Sequence, residues 1–170
     1  RIIECVTDIT QRKQAEENLS RQIERLRGLH NIEQAILGSL ELNEILKLLV
    51  QEIVAQLQVD AAAVLLLNSQ KQTLDFATGQ GFFTQALRFT SLKVGTGLAG
   101  QAAQERKILF VANLTEPGNN PVLAQSVAKE NFVTYFGIPL IAKDQLLGVL
   151  EIFHRSELSP EPTWLKLLET

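Results

Sequence analysis

The segment VTYFGIPLIAKDQLLGVLEIFH, residues 133–154, contains two apolar runs joined by Ala142-Lys143-Asp144-Gln145. Runs of this length, rich in β-branched and aromatic residues, predict strands over residues 133–141 and 146–154. The four-residue connection is of hairpin size, whereas parallel strands need a crossover of about a dozen residues or more. The segment therefore predicts an antiparallel β-hairpin.

The residues before this hairpin predict further strands and short helices. The run AAAVLLL, residues 61–67, is continuously apolar and fits a buried central strand. Further strands are predicted over residues 73–78, 92–94 and 108–112, and helices over residues 98–105, 122–130 and 164–169. Tight hairpins within a helix-flanked sheet indicate an α+β fold with a mainly antiparallel sheet.

The N-terminal third of the chain predicts one strand and two helices. Residues 1–10 alternate apolar and polar side chains and predict a short strand. A helix is expected to follow, with Asp8 or Thr10 as its N-cap. Gly28 need not end this helix, but Gly38-Ser39 is expected to break it before a second amphipathic helix over residues 42–57.

A heptad seam lies in the first of these helices. Leu19, Ile23, Leu26 and His30 are spaced four, three and four residues apart and are flanked by charged residues. This spacing is typical of a coiled coil, in which His30 would form a polar layer. The seam predicts a parallel homodimer.

Composition excludes several classes of protein. Hydrophobic residues make up 45% of the chain and charged residues 21%, with a net charge of −3, so a packed core is expected and a basic surface for nucleic acid is not. The single cysteine, Cys5, excludes an intrachain disulfide and fits a reducing, cytoplasmic compartment. No apolar run approaches the roughly 20 residues that span a bilayer, so no direct membrane contact is expected.

Three motifs carry a family resemblance. They are Gly95-Thr96-Gly97-Leu98-Ala99-Gly100, Gly137-Ile138-Pro139-Leu140 and Leu147-Gly148-Val149-Leu150-Glu151. In their order and spacing, residues 29–170 resemble a GAF domain with a truncated C-terminal helix. The resemblance implies a six-stranded, mainly antiparallel sheet with the terminal helices on one face and often a small-molecule pocket on the other.

A second, shorter resemblance concerns the N-terminus. Asp8-Ile9-Thr10 followed by Gln11-Arg12-Lys13-Gln14-Ala15-Glu16 resembles the end of a PAS domain that continues into its exit helix. The PAS resemblance implies an ion pair between Asp8 and Arg12. The expected organisation is a PAS end over residues 1–10, a linker helix over residues 11–28 and a GAF sensor domain over residues 29–170.

The GAF resemblance, combined with the predicted strands, implies a ligand site on the sheet face opposite the terminal helices. The residues expected to line it mix apolar and polar side chains, as small-molecule pockets do: Phe110, Asn113, Ser126, Val127, Phe132 and Thr134. The ligand would be an unidentified small molecule. The alternative is a purely structural dimerisation relay, with the cavity filled by Phe110, Phe132 and Phe136.

Catalytic and cofactor functions find little support in the sequence. The glycines of residues 95–100 match the dinucleotide-binding pattern, but they lack its parallel βαβ setting. A tight turn is therefore the better interpretation of these glycines. A nucleotide-binding enzyme fragment is the least favoured alternative. Cys5 lies outside the sensor domain, which argues against a covalent bilin and against cysteine-dependent methionine sulfoxide reduction. His30 and His154 are too far apart in the chain to suggest a metal site. Glu151 is expected to face solvent.

The role expected from these features is that of a non-catalytic sensory module that relays a signal through its terminal helices to an output domain of the same chain. The run SELSPEPTWL, residues 156–165, resembles GAF domains that precede HD-type cyclic-di-GMP phosphodiesterases. A histidine kinase of a two-component system or a diguanylate cyclase is an alternative output.

Overall fold

The computed structural model of the chain describes residues 2–116 and 129–159. The chain divides into two compact units, Arg1–Leu42 and Asn43–Thr170. Of the helices predicted over residues 122–130 and 164–169, only Lys129 and Glu130 are described, and they form a turn. The boundaries predicted at residues 10 and 28 stay predictions.

A single helix, α1 (Ile2–Leu57), replaces the strand and the two helices predicted for this part of the chain. The predicted strand over residues 1–10 is wrong, and Asp8 and Thr10 lie within the helix rather than at its cap. The Thr10 hydroxyl donates a hydrogen bond of 2.7 Å to the carbonyl oxygen of Val6, one turn earlier. Such a bond satisfies the hydroxyl inside a helix, so threonine need not act as a cap.

The helix also continues through Gly28, as predicted, and through Gly38-Ser39, where a break was predicted. The Ser39 hydroxyl donates to the carbonyl oxygen of Ile36 at 2.8 Å, which again satisfies a polar side chain within the helix. Nε of Arg12 lies 4.0 Å from Oε1 of Glu16, and both side chains are exposed. Within the described helix the ion-pair partner of Arg12 is therefore Glu16 rather than Asp8.

Six strands form one antiparallel sheet in the order β3-β2-β1-β6-β5-β4. The strands and the short helices between them are β1 (Ala61–Asn68), β2 (Thr73–Gln80), a 3-10 helix (Ala86–Phe89), β3 (Ser91–Lys93), α2 (Gly97–Glu105), β4 (Leu109–Val111), β5 (Thr134–Ala142) and β6 (Gln145–His154). This arrangement confirms the predicted α+β fold, including the β5–β6 hairpin. Lys143 and Asp144 form its turn with positive φ angles of 49° and 62°, as two-residue hairpin turns require.

The first face of the sheet packs against the C-terminal part of α1. Leu46 and Val50 of α1 form a buried cluster with Val64 of β1, Phe136 of β5 and Ile152 of β6. These strand residues alternate with those that point to the other side, as the two-residue period of a strand requires.

The second face packs against α2. Ala99, Ala102 and Ala103 contact Leu65 and Val149 in a cluster of buried side chains. The small side chains let the helix approach the strands closely, and the glycine-rich turn that begins it is equally tight. The Gly95 N–H donates to the Gly100 carbonyl at 2.8 Å, and a Cβ on Gly100 would lie 2.6 Å from the carbonyl oxygen of Lys93.

Gly148 of β6 provides a test of how closely the central strands pack. A Cβ added there would lie 2.1 Å from the backbone oxygen of Leu65, and backbone atoms in a sheet cannot move aside cheaply. We expect Gly148→Ala to lower the free energy of unfolding by about 2 kcal/mol or more. Urea denaturation measures the effect, and Gly38→Ala is the control because nothing lies within 4 Å of a Cβ at that position. Equal stability of the two variants would contradict the prediction.

Candidate functional site

A buried carboxyl group lies on the α2 face of the sheet. Glu151 of β6 is 2% exposed, and its Oε1 accepts a hydrogen bond of 2.9 Å from the hydroxyl of Tyr135 on β5. Gly137, paired with Glu151 across the two strands, leaves room for this contact, since a Cβ there would lie 2.8 Å from the Tyr135 hydroxyl. The prediction that Glu151 faces solvent is therefore wrong.

The environment of this carboxyl group shifts its proton affinity. Burial raises the pKa of Glu151 to about 7, and the hydrogen bond from Tyr135 acts in the opposite direction without cancelling it. Burial, together with the nearby Glu151 carboxyl, also raises the pKa of the Tyr135 hydroxyl well above its ordinary value. The Glu151 carboxyl and the Tyr135 hydroxyl are therefore both neutral below about pH 7.

A cleft of about 210 Å³ opens between the end of β2 and the 3-10 helix. Its apolar base includes Phe76 and Leu87, which belong to the clusters on the α2 face. The residues that line it combine aromatic rings, amide side chains and one guanidinium group: Phe76, Gly79, Gln80, Gly81, Phe82, Phe83, Thr84, Gln85, Leu87 and Arg88. A small concave site of this make-up suits a small ligand.

One wall of the cleft, residues 81–85, is fixed by a buried carboxylate and is called the wall segment below. Glu130 is 1% exposed and accepts hydrogen bonds from the N–H groups of Phe83 and Thr84, at 2.8 and 2.7 Å, and from the Thr84 hydroxyl at 2.7 Å. Burial acts to raise the pKa of Glu130, but these hydrogen bonds and the charge of Arg155 outweigh it and hold the pKa below its ordinary value. Glu130 is therefore ionised and holds the wall segment in place through these hydrogen bonds.

Arg155 joins this carboxylate to the wall segment from the other side. Its Nη2 donates to the carbonyl oxygen of Gly81 at 3.0 Å and lies 3.3 Å from Oε2 of Glu130, and its Nε donates to the Glu130 backbone oxygen at 2.9 Å. The guanidinium carbon lies 3.8 Å from the ring centroid of Phe83 and 4.7 Å from that of Phe132. These hydrogen bonds and the two aromatic rings together restrict the orientation of the guanidinium.

The same arginine is tied to the junction between α1 and β1. Its backbone N–H donates to Oδ2 of Asp60 at 2.7 Å, and its Nη1 lies 3.7 Å from Oδ1 of Asp60. His154 Nδ1 lies 2.8 Å from the same Oδ2. Asp60 therefore contacts the end of β6 and is linked to the wall segment through Arg155.

The profile of the GAF domain family matches residues 41–169. The chain belongs to the GAF domain family. No curated protein matches the chain, but its fold is similar to those of many solved structures.

Three of these structures illustrate the range of the fold. The GAF domain of the Acinetobacter phosphoenolpyruvate-protein phosphotransferase is 18% identical, with a TM-score of 0.64 and coverage of 75% of each chain. The GAF domain/HD domain protein of Geobacter sulfurreducens is 15% identical, with a TM-score of 0.65 over 77% of this chain and 86% of that one. Free methionine-R-sulfoxide reductase from Neisseria meningitidis is 16% identical, with a TM-score of 0.60 over 74% and 72%. At these identities the likeness shows the fold alone.

Two of the six residues predicted to bind a ligand lie on the wrong face of this GAF domain. Phe110 pairs with Phe136 across β4 and β5, with ring centroids 4.7 Å apart, and both rings lie on the α1 face. Thr134 shares that face, and its hydroxyl lies 3.1 Å from the Ala112 oxygen and 2.9 Å from the Ser156 oxygen. Their predicted placement on the face opposite the N-terminal helix is thus incorrect, since both lie on the α1 face.

The other four are differently placed. Phe132 is buried on the α2 face against Phe82, a residue of the cleft, with ring centroids 5.7 Å apart. Asn113 accepts hydrogen bonds through Oδ1 from the N–H and hydroxyl of Thr115. Ser126 and Val127 lie outside the described residues. Among the four described members of the set, Phe132 is therefore the one that contacts a residue of the cleft.

Sequence reasoning missed the network around the cleft. Asp60, Glu130 and Arg155 are far apart in the chain. Asp60 precedes and Arg155 follows a predicted strand, and Glu130 ends a predicted helix, all positions where a solvated charge is the ordinary interpretation. One usable feature was present: Arg155 directly follows the last predicted strand, and ends of central strands are where long-range partners meet.

The residues of the predicted helical seam are exposed, as is every residue of α1 from 2 to 45. Leu19, Ile23 and Leu26 are 58%, 42% and 65% exposed on α1, and His30 is exposed as well. In residues 2–116 and 129–159, no group of three or more His, Cys, Asp or Glu side chains could hold a metal ion, and no helix is long and apolar enough to cross a membrane.

Proposed function

We propose that this GAF domain is a non-catalytic sensory module that binds a small ligand in the cleft beside β2 and relays its occupancy through α1. The observation that carries the proposal is the cleft itself, about 210 Å³ in volume and lined by rings, amides and one guanidinium. Aromatic rings and a few polar groups around a concave surface are features that ligand sites use to hold and orient a small molecule. GAF domains as a family are sensory and regulatory modules.

The lining of the cleft favours a ligand with an anionic or strongly polar group. Arg88 supplies the one charged side chain among the lining residues. A guanidinium group forms paired hydrogen bonds with carboxylate, nitrate-like or phosphate oxygens. The amides of Gln80 and Gln85 can both donate and accept, which suits a polar ligand of either kind.

Identification of a co-purified ligand tests this proposal. We expect the protein, purified without unfolding and then denatured, to release a small molecule that mass spectrometry detects. Gln85→Trp should weaken its binding by about tenfold or more, because the indole would occupy the cleft. Gln70→Trp, in the exposed turn between β1 and β2, is the control. Release of nothing, or equal binding by both variants, would contradict a ligand site in this cleft.

The second candidate function is a dimerisation relay without a ligand, and the exposed seam favours it. We propose that Leu19, Ile23, Leu26 and His30 pair with the same residues of a second copy in a parallel coiled coil. A helix with large exposed apolar side chains at heptad spacing gains stability when they are buried between two helices. Cys5 lies two heptads before Leu19 and would lie opposite its own copy.

We expect the chain to be a parallel dimer in light scattering and to form a disulfide through Cys5 on mild oxidation. A triple change of Leu19, Ile23 and Leu26 to serine should give a monomer and remove the cross-link. Glu17, Arg21 and Glu24 have the same spacing on another side of α1, so their triple change to serine is the matched control. A monomer at high concentration would contradict the dimer, and a dimer that does not cross-link would contradict its parallel orientation.

The signal is proposed to travel from a PAS domain before the described helix to an output domain after residue 170, in the cytoplasm. The fold of the Geobacter sulfurreducens GAF domain/HD domain protein is similar to that of this chain. Together with the SELSPEPTWL resemblance, this favours an HD-type cyclic-di-GMP phosphodiesterase as the output. A sensor kinase or a diguanylate cyclase is the alternative output.

A further inference from the structure

The network of Glu130, Arg155 and Asp60 connects two places that the proposed function must link. One is the wall segment, residues 81–85, which lines the cleft. The other is Asp60, which lies between the last residue of α1, Leu57, and the first of β1, Ala61. All of these residues belong to the second unit of the chain.

Two independent contacts join these places. The first runs through side chains: Glu130 accepts hydrogen bonds from the N–H groups of Phe83 and Thr84, and the Arg155 guanidinium lies beside Glu130. Asp60 in turn accepts a hydrogen bond from the backbone N–H of Arg155 and lies 3.7 Å from its Nη1. The second is direct backbone packing. A Cβ on Gly81 would lie 1.9 Å from the carbonyl oxygen of Asp60, so the wall segment rests on the backbone of the junction.

Each charged group of this network is held by several contacts. The Glu130 carboxylate is buried, so a lost partner there cannot be replaced cheaply by water. Arg155 is held by Gly81, Glu130 and Asp60 and by the rings of Phe83 and Phe132. A shift of the wall segment would therefore change the contacts of Arg155, and a shift of Arg155 would change its contacts with Asp60.

We propose that Glu130 and Arg155 are positioning residues for the cleft and that Asp60 couples their arrangement to the end of α1. A ligand that moves the wall segment would thereby change the α1–β1 junction. The reverse also holds, because coupling between two sites is reciprocal. This inference rests on the proposed function in taking the cleft as the ligand site, but the coupling itself exists or fails without any ligand.

Backbone amide hydrogen exchange of the unliganded full chain tests the coupling. Glu130→Gln keeps the shape of the side chain and removes its charge, so exchange at the Phe83 and Thr84 amides should become about tenfold faster or more, relative to amides of β1 and β6. Thr84→Val removes one donor to the carboxylate and should give a smaller increase. Glu105→Gln, an exposed carboxyl that pairs with Gln101 within α2, is the control and should change neither amide.

The link to Asp60 is tested by a double-mutant cycle at the same amides. Asp60→Asn should speed exchange at Phe83 and Thr84, and its effect should shrink by about threefold or more once Glu130→Gln is present, since coupled groups are non-additive. A pH titration adds a readout that general loosening would not produce. The chemical shift of the Thr84 amide should follow a carboxyl with a pKa below the ordinary value in the wild-type protein, and this step should vanish in Glu130→Gln.

Two results would overturn the inference. One is an Asp60→Asn protein in which exchange at Phe83 and Thr84 is unchanged. The other is a set of purely additive effects. A missing ligand in the purification experiment would contradict the proposed function and leave these amide measurements intact, so the two failures can be told apart.

Discussion

Replacement of Glu151 by glutamine is expected to remove a large pH dependence from the stability of the sensor domain. Burial raises the pKa of Glu151 from an ordinary value of 4.5 to about 7 in the folded chain. Between these two pH values the unfolded chain releases the proton and the folded chain keeps it, so stability falls as the pH rises. The contribution is fully present below pH 4.5 and is lost as the pH passes through about 7.

The size of the effect follows from the shift. A difference of about 2.5 pKa units corresponds to roughly 3 kcal/mol of unfolding free energy. Glutamine stays neutral and can still accept the hydrogen bond from Tyr135. We therefore expect Glu151→Gln to match the wild-type protein at pH 4.5 and to exceed its free energy of unfolding by up to about 3 kcal/mol at pH 8.

Urea denaturation over a series of pH values measures this difference. Glu105→Gln, which changes an exposed carboxyl on α2, is the control and should leave the pH dependence as it is. In Tyr135→Phe the hydrogen bond that lowers the pKa of Glu151 is lost, so the fall in stability should begin at the same pH but continue to higher pH. If Glu151→Gln lost stability with pH as steeply as the wild-type protein, the carboxyl would not be buried in the way described.

The strands could be predicted because their sequences leave little choice. Residues 61–67 and 133–154 are too apolar to be loops and too short, between turn residues, to be long helices. The glycines of residues 95–100 were also interpreted correctly, as a tight turn into a closely packed helix. Their spacing reports backbone proximity, which is local and therefore visible in the sequence.

The N-terminal helix could not be predicted in full because its first residues fit two periods. Ile3, Cys5, Val6 and Ile9 include the spacing of two expected of a strand and the spacings of three and four expected of a helix. Thr7 and Thr10 favour a strand or a cap by type, yet in the helix their hydroxyls bond to the carbonyls of Ile3 and Val6. These hydrogen bonds to carbonyl groups one turn earlier allow the two threonines to lie inside a continuous helix.

The sequence did not show which side chains of β4 and β5 point to α1, for a different reason. Residues 134–138 of β5 are all buried, so no alternation of polar and apolar residues shows which side chain points to α1. The same burial conceals Glu151, whose direction depends on a hydroxyl that lies 16 residues earlier in the sequence. Glu130, Arg155 and Asp60 likewise meet only after folding, and a single sequence contains no record of such distant pairs.

Under the proposed relay, an insertion of two residues after Gln14 is expected to uncouple the proposed PAS input from the proposed output domain of the full-length protein. At 3.6 residues per turn, two added residues rotate the upstream part of α1 by about 200° relative to the seam of Leu19, Ile23 and Leu26. Cys5 and Ile9, which share the heptad phase of the seam, would then face away from the partner helix. The measurement is the output activity of the full-length protein with and without its PAS signal, and we expect the response to be lost.

A seven-residue insertion at the same point is the matched control. Seven residues turn a helix through about two full turns, within roughly 20°, so the seam stays in phase although the helix becomes longer. The relay requires phase rather than length, because the packing of two helices changes when their apolar faces rotate. A coupling of about 1–3 kcal/mol between two such arrangements alters output several-fold or more. The seven-residue variant should therefore respond to the PAS signal, and a normal response from the two-residue variant would refute a relay through the seam.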